Sequence, residues 1–261
     1  MTRWVARLLY ANVAAFVVTQ FLTPQITSAL VLRPAFIYVQ PWTLVTYMFL
    51  HAGWMHLIFN MLGLFFFGPR LESRLGSRNF LLLYFASGIA GALLSLIATL
   101  FGLMHPGTGI VGASGAVFGV LLGFALYWPR EQIYIWGVLP VQARVLVVVM
   151  TVLSLYGGFT GAQAGVAHFA HLGGFAGGYL FLKWIEHRSP ARRFKKKVEA
   201  SARRPSGGSG ADLKRWKGIR REEMHPVNRE ELDRVLAKID EEGVGSLTAD
   251  ERAFLDRFSP E

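Results

Sequence analysis

The chain of 261 residues contains no cysteine, which excludes disulfides, thiolate catalysis and cysteine-ligated zinc. It has no aspartate before Asp212 and no acidic residue between Glu131 and Glu186. Charge of either sign is scarce through Leu182, where only eight basic residues and two acids, Glu72 and Glu131, occur. The other 19 basic and 15 acidic residues crowd into the last 79 positions. The net charge of +10 therefore divides into +6 over an apolar body and +4 over a charged tail. That partition excludes a soluble enzyme, a disordered chain and a disulfide-stapled secreted domain. It describes a membrane protein with a soluble appendix.

A helix needs roughly 20 apolar residues to cross the hydrocarbon layer. Six stretches meet or approach that length, at about 4–22, 44–68, 80–103, 112–128, 141–158 and 167–185. Arg3 and Arg7 introduce the first as they would a secretory signal. No small-x-small cleavage site follows it, however, and five more spans do, so it reads as a retained helix. The segments before span one, after spans two and four, and after span six carry two, three, two and 19 Lys/Arg. The three opposite loops carry one, none and none. By the positive-inside rule both termini are cytoplasmic. The expectation is an all-α, multi-pass integral membrane protein with three parts. Residues 1–186 form a six-helix membrane domain, 187–227 a basic juxtamembrane segment and flexible linker, and 228–261 a small cytoplasmic helical hairpin.

In the tail, Arg192 to Lys197 form a basic cluster that suits a topology anchor beside anionic lipid rather than a nucleic-acid site. Residues 201–211, with Pro205, Gly207, Gly208 and Gly210, read as linker. Leu232, Val235, Leu236 and Ile239 then share one helical face, and Thr248 with Glu251 three residues later is a capping box.

Within the apolar body the polar exceptions carry the information, because such side chains are costly in lipid. They cluster as His51, His56 and Asn60 on span two, Ser114 at the start of span four, and His168 and His171 on span six. Depth follows from the helical rise of ~1.5 Å per residue. His56 lies 14 residues from Arg70 and Ser114 lies 14 from Trp128, roughly 21 Å in each case. His171 lies 12 residues from Lys183, roughly 18 Å. A hydroxyl and two imidazoles thus reach one level.

Span four is too short to cross, so its N-terminus starts inside the membrane, after the loop-like stretch His105 to Gly112. Ser114 then meets free N–H groups and the positive end of a helix dipole, which favour a developing negative charge. Gly115 and Gly119 on span four, and Gly174 and Gly178 on span six, form small-residue faces that allow close backbone approach. Asn60 follows His56 by four residues, so both face one side of their helix. A metal site is the competing reading of the histidines. His168 and His171 are separated by Phe and Ala, however, with no adjacent glutamate to act as base. Neither metal nor cofactor is expected. With no aspartate available, a serine hydrolase built here must use a dyad.

Four ordered motifs resemble the rhomboid intramembrane serine proteases. They are His51-Ala-Gly-Trp-Met-His56-Leu-Ile-Phe-Asn60, Glu72-Ser-Arg-Leu-Gly-Ser77, Gly112-Ala-Ser114-Gly-Ala-Val-Phe-Gly119 and Ala170-His171-Leu-Gly-Gly-Phe-Ala-Gly-Gly178. The likeness spans about residues 40–182 and suits the six-span bacterial form, which would sit in the inner membrane. It implies that Ser114 is the nucleophile and His171 the general base. His56, Asn60 and the Ser114 N–H would form the oxyanion hole, and His51 would support a loop. Where the family favours Trp-Arg in the first loop, this chain has Trp42-Thr43, a departure away from the dyad. His168 matches no catalytic position and reads as packing. Implied substrates are single-pass or other transmembrane proteins in the bilayer. A catalytically inactive binding factor of the same fold is the alternative. A transporter would be expected to carry membrane acids or inverted repeats, and neither is seen.

Overall fold

The computed structural model describes residues 1–135, 137–161, 167–188 and 210–259. The basic cluster at 192–197 and most of the expected linker lie outside the described residues. Two compact units divide at Met1–His187 and Arg188–Glu261.

The first unit is a helical bundle. Helix α1 (Arg3–Thr19) leads to a short α2 (Pro24–Leu30), then α3 (Thr43–Thr46), continued by a 3-10 turn at Tyr47–Phe49. Helices α4 (Trp54–Leu75), α5 (Ser77–Leu100) and α6 (Ser114–Tyr127) follow. Strands β1 (Gln132–Ile135) and β2 (Leu139–Gln142) precede α7 (Ala143–Thr160) and α8 (His168–Arg188). Helices α5 and α7 are each long and apolar enough to cross a membrane, and the α3–α4 pair, bent by 96°, makes a third span if counted as one. Of the other expected spans, α1 has 17 residues and α6 has 14, so both are short, while α8 has 21. Histidines and glycines hold down the hydropathy of α8.

Two expectations need correction. Span two is not a continuous helix from 44 to 68. It breaks at Leu50–Gly53 and resumes at Trp54 on a new axis, running on through Pro69 to Leu75. The bend puts His51 in the break and His56 in the first turns of α4. Nor is the chain wholly helical: β1 and β2 form an antiparallel hairpin, with Ile133 opposite Val141 and Tyr134 opposite Pro140. The β-branched, alternating run Gln132-Ile-Tyr-Ile135 favours a strand, and Gly137 turns it at a φ of 71°.

Packing is closest where glycines meet. Helix α8 packs against both α5 and α6 and offers each a separate glycine pair. A Cβ at Gly174 would fall on the Gly115 carbonyl oxygen, and one at Gly178 would stand 2.9 Å from the Gly119 Cα. On the adjoining face, Gly173 meets the backbone of Ala90 and Gly91 on α5, and Gly177 meets the Ala90 side chain. Only one face was evident from Gly174 and Gly178 alone. At the start of α1, the buried Glu72 carboxylate takes the place of an N-cap. It accepts hydrogen bonds from the Thr2 hydroxyl at 2.5 Å, the Val5 N–H at 3.1 Å and the Ser77 hydroxyl at 2.7 Å.

The second unit is more than a hairpin. Helices α9 (Gly210–Lys217), α10 (Pro226–Glu242) and α11 (Ala249–Phe258) enclose Trp216, Leu232, Val235, Ile239 and Leu255. Residues 210–217, expected as linker, form a helix because Trp216 is buried in this core and donates from Nε1 to Asp256 at 3.0 Å. The Thr248–Glu251 capping box is present.

Candidate active site

Ser114 is the first residue of α6. The stretch before it is irregular and is tied by its backbone to the segments around Leu32 and Tyr47. Leu32 and Ile110 exchange backbone hydrogen bonds, the Ala35 N–H reaches the Pro106 carbonyl at 2.9 Å, and the Gly112 N–H reaches the Tyr47 carbonyl at 2.9 Å. Gly112 has a φ of +121°, a conformation that favours glycine. It also makes room for a neighbour, since a Cβ there would stand 2.6 Å from His56 Nε2. The turn that launches the helix and the space for the imidazole therefore depend on one glycine.

His171 lies in the first turns of α8, with Nε2 2.9 Å from Ser114 Oγ. The contact of Gly174 with Gly115 is one turn farther along and sets the approach of the two helices. Phe118, one turn after Ser114, stacks on the His171 ring at 4.1 Å between centroids and 18° between planes. Among the described residues no carboxylate shares this geometry. Glu72 is bonded at the α1 terminus, Glu131 pairs with Arg70, and Glu186 pairs with Lys183. Packing against Phe118 and glycine contact, rather than an acid, orient the imidazole.

On the opposite wall, the Ala52 N–H donates to His56 Nδ1 at 3.4 Å. Nδ1 is thus the acceptor, and Nε2, the nitrogen beside Gly112, carries the ring proton. His51 lies edge-on to His56 with centroids 5.2 Å apart. Asn60 is buried, and its Nδ2 donates to the His56 carbonyl at 2.8 Å. One amide hydrogen is therefore engaged in its own helix, leaving the second for the cavity. His168 is also buried; its ring fits against Gly157 of α7, with its centroid 6.4 Å from that of His171.

These side chains open onto a cavity of about 700 Å³ lined by His56, Asn60, Ser114, Phe118, His168 and His171, with Gly157 and Gly158 on the α7 side. A base beside a hydroxyl, facing neutral N–H donors across a partly open cavity, is equipped for acyl transfer. Phe118 and Tyr47 add to the site two side chains that are not polar exceptions in the membrane body's sequence pattern. Phe118 was legible as the residue four after Ser114 on one face. Tyr47, whose hydroxyl donates to the Gly88 carbonyl at 2.7 Å, carries no local signal.

The family profile described as Rhomboid domain matches residues 38–188, and one described as a family of unknown function, DUF6576, matches residues 223–261. Rhomboid-like protease 3 of Toxoplasma gondii is 38% identical over 146 residues, covering 56% of this chain and 52% of that protein. RHOMBOID-like protein 4 of Arabidopsis thaliana is 37% identical over 140 residues, 53% of this chain and 32% of that protein. Rhomboid protease GluP of Bacillus subtilis is 34% identical over 139 residues, 53% of this chain and 25% of that protein. The match spans about half or less of the length of each relative.

Proposed function

The chain belongs to the rhomboid family, and from that premise we propose that it is an intramembrane serine endopeptidase acting through a Ser114–His171 dyad. The observation that carries this reading is the 2.9 Å separation of His171 Nε2 and Ser114 Oγ at the start of an apolar helix.

In this mechanism His171 takes the Ser114 proton as Oγ attacks the scissile carbonyl. His56 Nε2–H, the free Asn60 amide hydrogen and the Ser114 backbone N–H stabilise the tetrahedral oxyanion, each donor typically worth ~3 kcal/mol. His171 then protonates the leaving amine, and water in the cavity hydrolyses the acyl-enzyme. The substrate is a transmembrane protein with helix-breaking small residues near the membrane boundary, since unwinding an uninterrupted helix in lipid strands its backbone polar groups. Six spans, cytoplasmic termini and a bacterial inner membrane belong to the same reading, supported by the Lys/Arg asymmetry of the loops. The tail unit is cytoplasmic in this topology.

The test is cleavage of a model transmembrane substrate by purified protein in detergent. Wild type is expected to cleave in the presence of chelator and to label at Ser114 with a fluorophosphonate. Ser114→Ala and His171→Ala are expected to do neither. Persistent cleavage by Ser114→Ala would sink the serine mechanism. A folded wild type that neither cleaves nor labels would favour the non-catalytic binding factor.

A further inference from the structure

The connection between α6 and α7 has an unusual surface. No charged residue occurs between Glu131 and Arg144. Ile133, Ile135 and Val141 share one face of the hairpin with Leu139 and pack against the apolar core of the body. Beside the turn, large apolar side chains are exposed on both faces: Val138 is 81% exposed, Tyr134 58% and Leu139 60%. Large apolar side chains clustered at a hairpin tip mark an interaction surface.

The base of the hairpin indicates what covers the tip. Arg70 pairs with Glu131 at 3.0 Å and lies over the Trp128 ring at 4.3 Å. At the other strand end, Arg144 Nε donates to the Gln142 side chain at 2.9 Å. Trp beside Arg at the end of an apolar helix is the composition of a membrane–water boundary. Strand β2 runs straight into α7, with Gln142 as its N-cap, and α7 is one of the helices able to cross a membrane unaided. Its first turns expose Val145 and Val148. The apolar surface of the hairpin therefore continues, without an intervening loop, onto a surface that lipid covers.

We propose that the tip of this hairpin docks in the bilayer, placing Tyr134, Val138 and Leu139 at the headgroup–acyl boundary of the leaflet where α6 ends and α7 begins. Each strand spans four residues, or ~13 Å. The headgroup region of one leaflet is roughly 5–8 Å deep, so a hairpin lying obliquely on the surface reaches the acyl boundary. Lipid is the occupant because the tip bears no charge for a soluble partner to pair with and its apolar side chains continue onto the exposed face of α7. The inference depends on the chain being a membrane protein and not on its catalysis.

The absence of native cysteine makes the test clean. Full-length Val138→Cys carries an environment-sensitive fluorophore in vesicles of phosphatidylcholine and phosphatidylglycerol. Gly245→Cys, with open space around it in the other unit, serves as reference. Lipid spin-labelled high on the acyl chain is expected to quench the Val138 label several-fold more than the reference, with aqueous iodide showing the reverse. Iodide quenching without lipid quenching would overturn the proposal, placing the tip in water. Quenching by neither would also overturn it, because protein, such as a second copy, would then cover the tip. Leu139→Cys repeats the measurement if the first variant misfolds, with helix content by circular dichroism as the check on fold.

Discussion

Replacing Gly174 by alanine tests whether backbone contact between α6 and α8 sets the reactive geometry. The added methyl would fall on the carbonyl oxygen of Gly115 and stand 2.7 Å from its carbonyl carbon and 2.9 Å from its Cα. Carbon atoms prefer about 3.5–4.0 Å, so α8 must retreat by about 1 Å. Gly115 follows Ser114 directly and Gly174 is one turn beyond His171, so the retreat carries the imidazole with it. From 2.9 Å, the Ser114–His171 separation then exceeds hydrogen-bond reach. Misplacement of that size costs about 100-fold in rate, and overpacking costs about 1–3 kcal/mol of stability. Gly174→Ala is therefore expected to remain folded, to lose about 100-fold in kcat on a transmembrane substrate, and to label with fluorophosphonate correspondingly slowly. Gly178→Ala, one turn farther from the imidazole, should lose comparable stability while keeping more activity. A folded Gly174→Ala with wild-type kcat and labelling would refute the reasoning, because the glycine contact would then not position His171.

Glu72→Ala removes the carboxylate that serves the N-terminus of α1, leaving the Val5 N–H and the Thr2 and Ser77 hydroxyls without their acceptor. A loss of about 2 kcal/mol is expected, from a missing cap and charged hydrogen bonds, read as a lower thermal midpoint in detergent; an unchanged midpoint would show that α1 docks without it. In the tail, the Thr248 backbone N–H, then Lys238 and Arg234, hold the Glu251 carboxyl well below the usual range, at about 2. Its folded pKa is depressed, so its stabilising contribution is complete above the ordinary carboxylate pKa and is lost as pH falls toward about 2. Native-state hydrogen exchange of α10 and α11, normalised to intrinsic rates, should report progressive loss of protection below about pH 4.5, the carboxyl's ordinary value. Glu251→Gln should flatten that dependence, and an equally steep profile in the variant would remove Glu251 as its source.

Much of this was legible from sequence because it rests on composition and short-range period. Scarce charge through Leu182 identifies the membrane body, and the basic residues of its loops argue for an orientation. Helical rise alone brings Ser114, His56 and His171 to one depth, and helical period puts Asn60 on the face of His56. The absence of aspartate limits any serine chemistry to a dyad. The capping box at Thr248 and Glu251 is likewise a local pattern, and it forms as read.

What the sequence left open depends on backbones that meet from far apart in the chain. The break before Trp54, at His51-Ala-Gly53, lies inside a stretch apolar enough to read as one span, and hydropathy does not register a change of axis. The hairpin at 132–142 and the helix at 210–217 form because Ile133, Val141 and Trp216 find apolar cores supplied by other segments. Spacing puts Phe118 on the face of Ser114, but a single helix does not say which ring of another helix it meets, so its stacking on His171 was not contained in the spacing. Sequence by itself determined which groups reach a common level in an apolar body, because rise and period are properties of a single helix. Only the tertiary structure decided that Ser114 and His171 stand 2.9 Å apart, because that distance is set by glycine backbones touching between two helices.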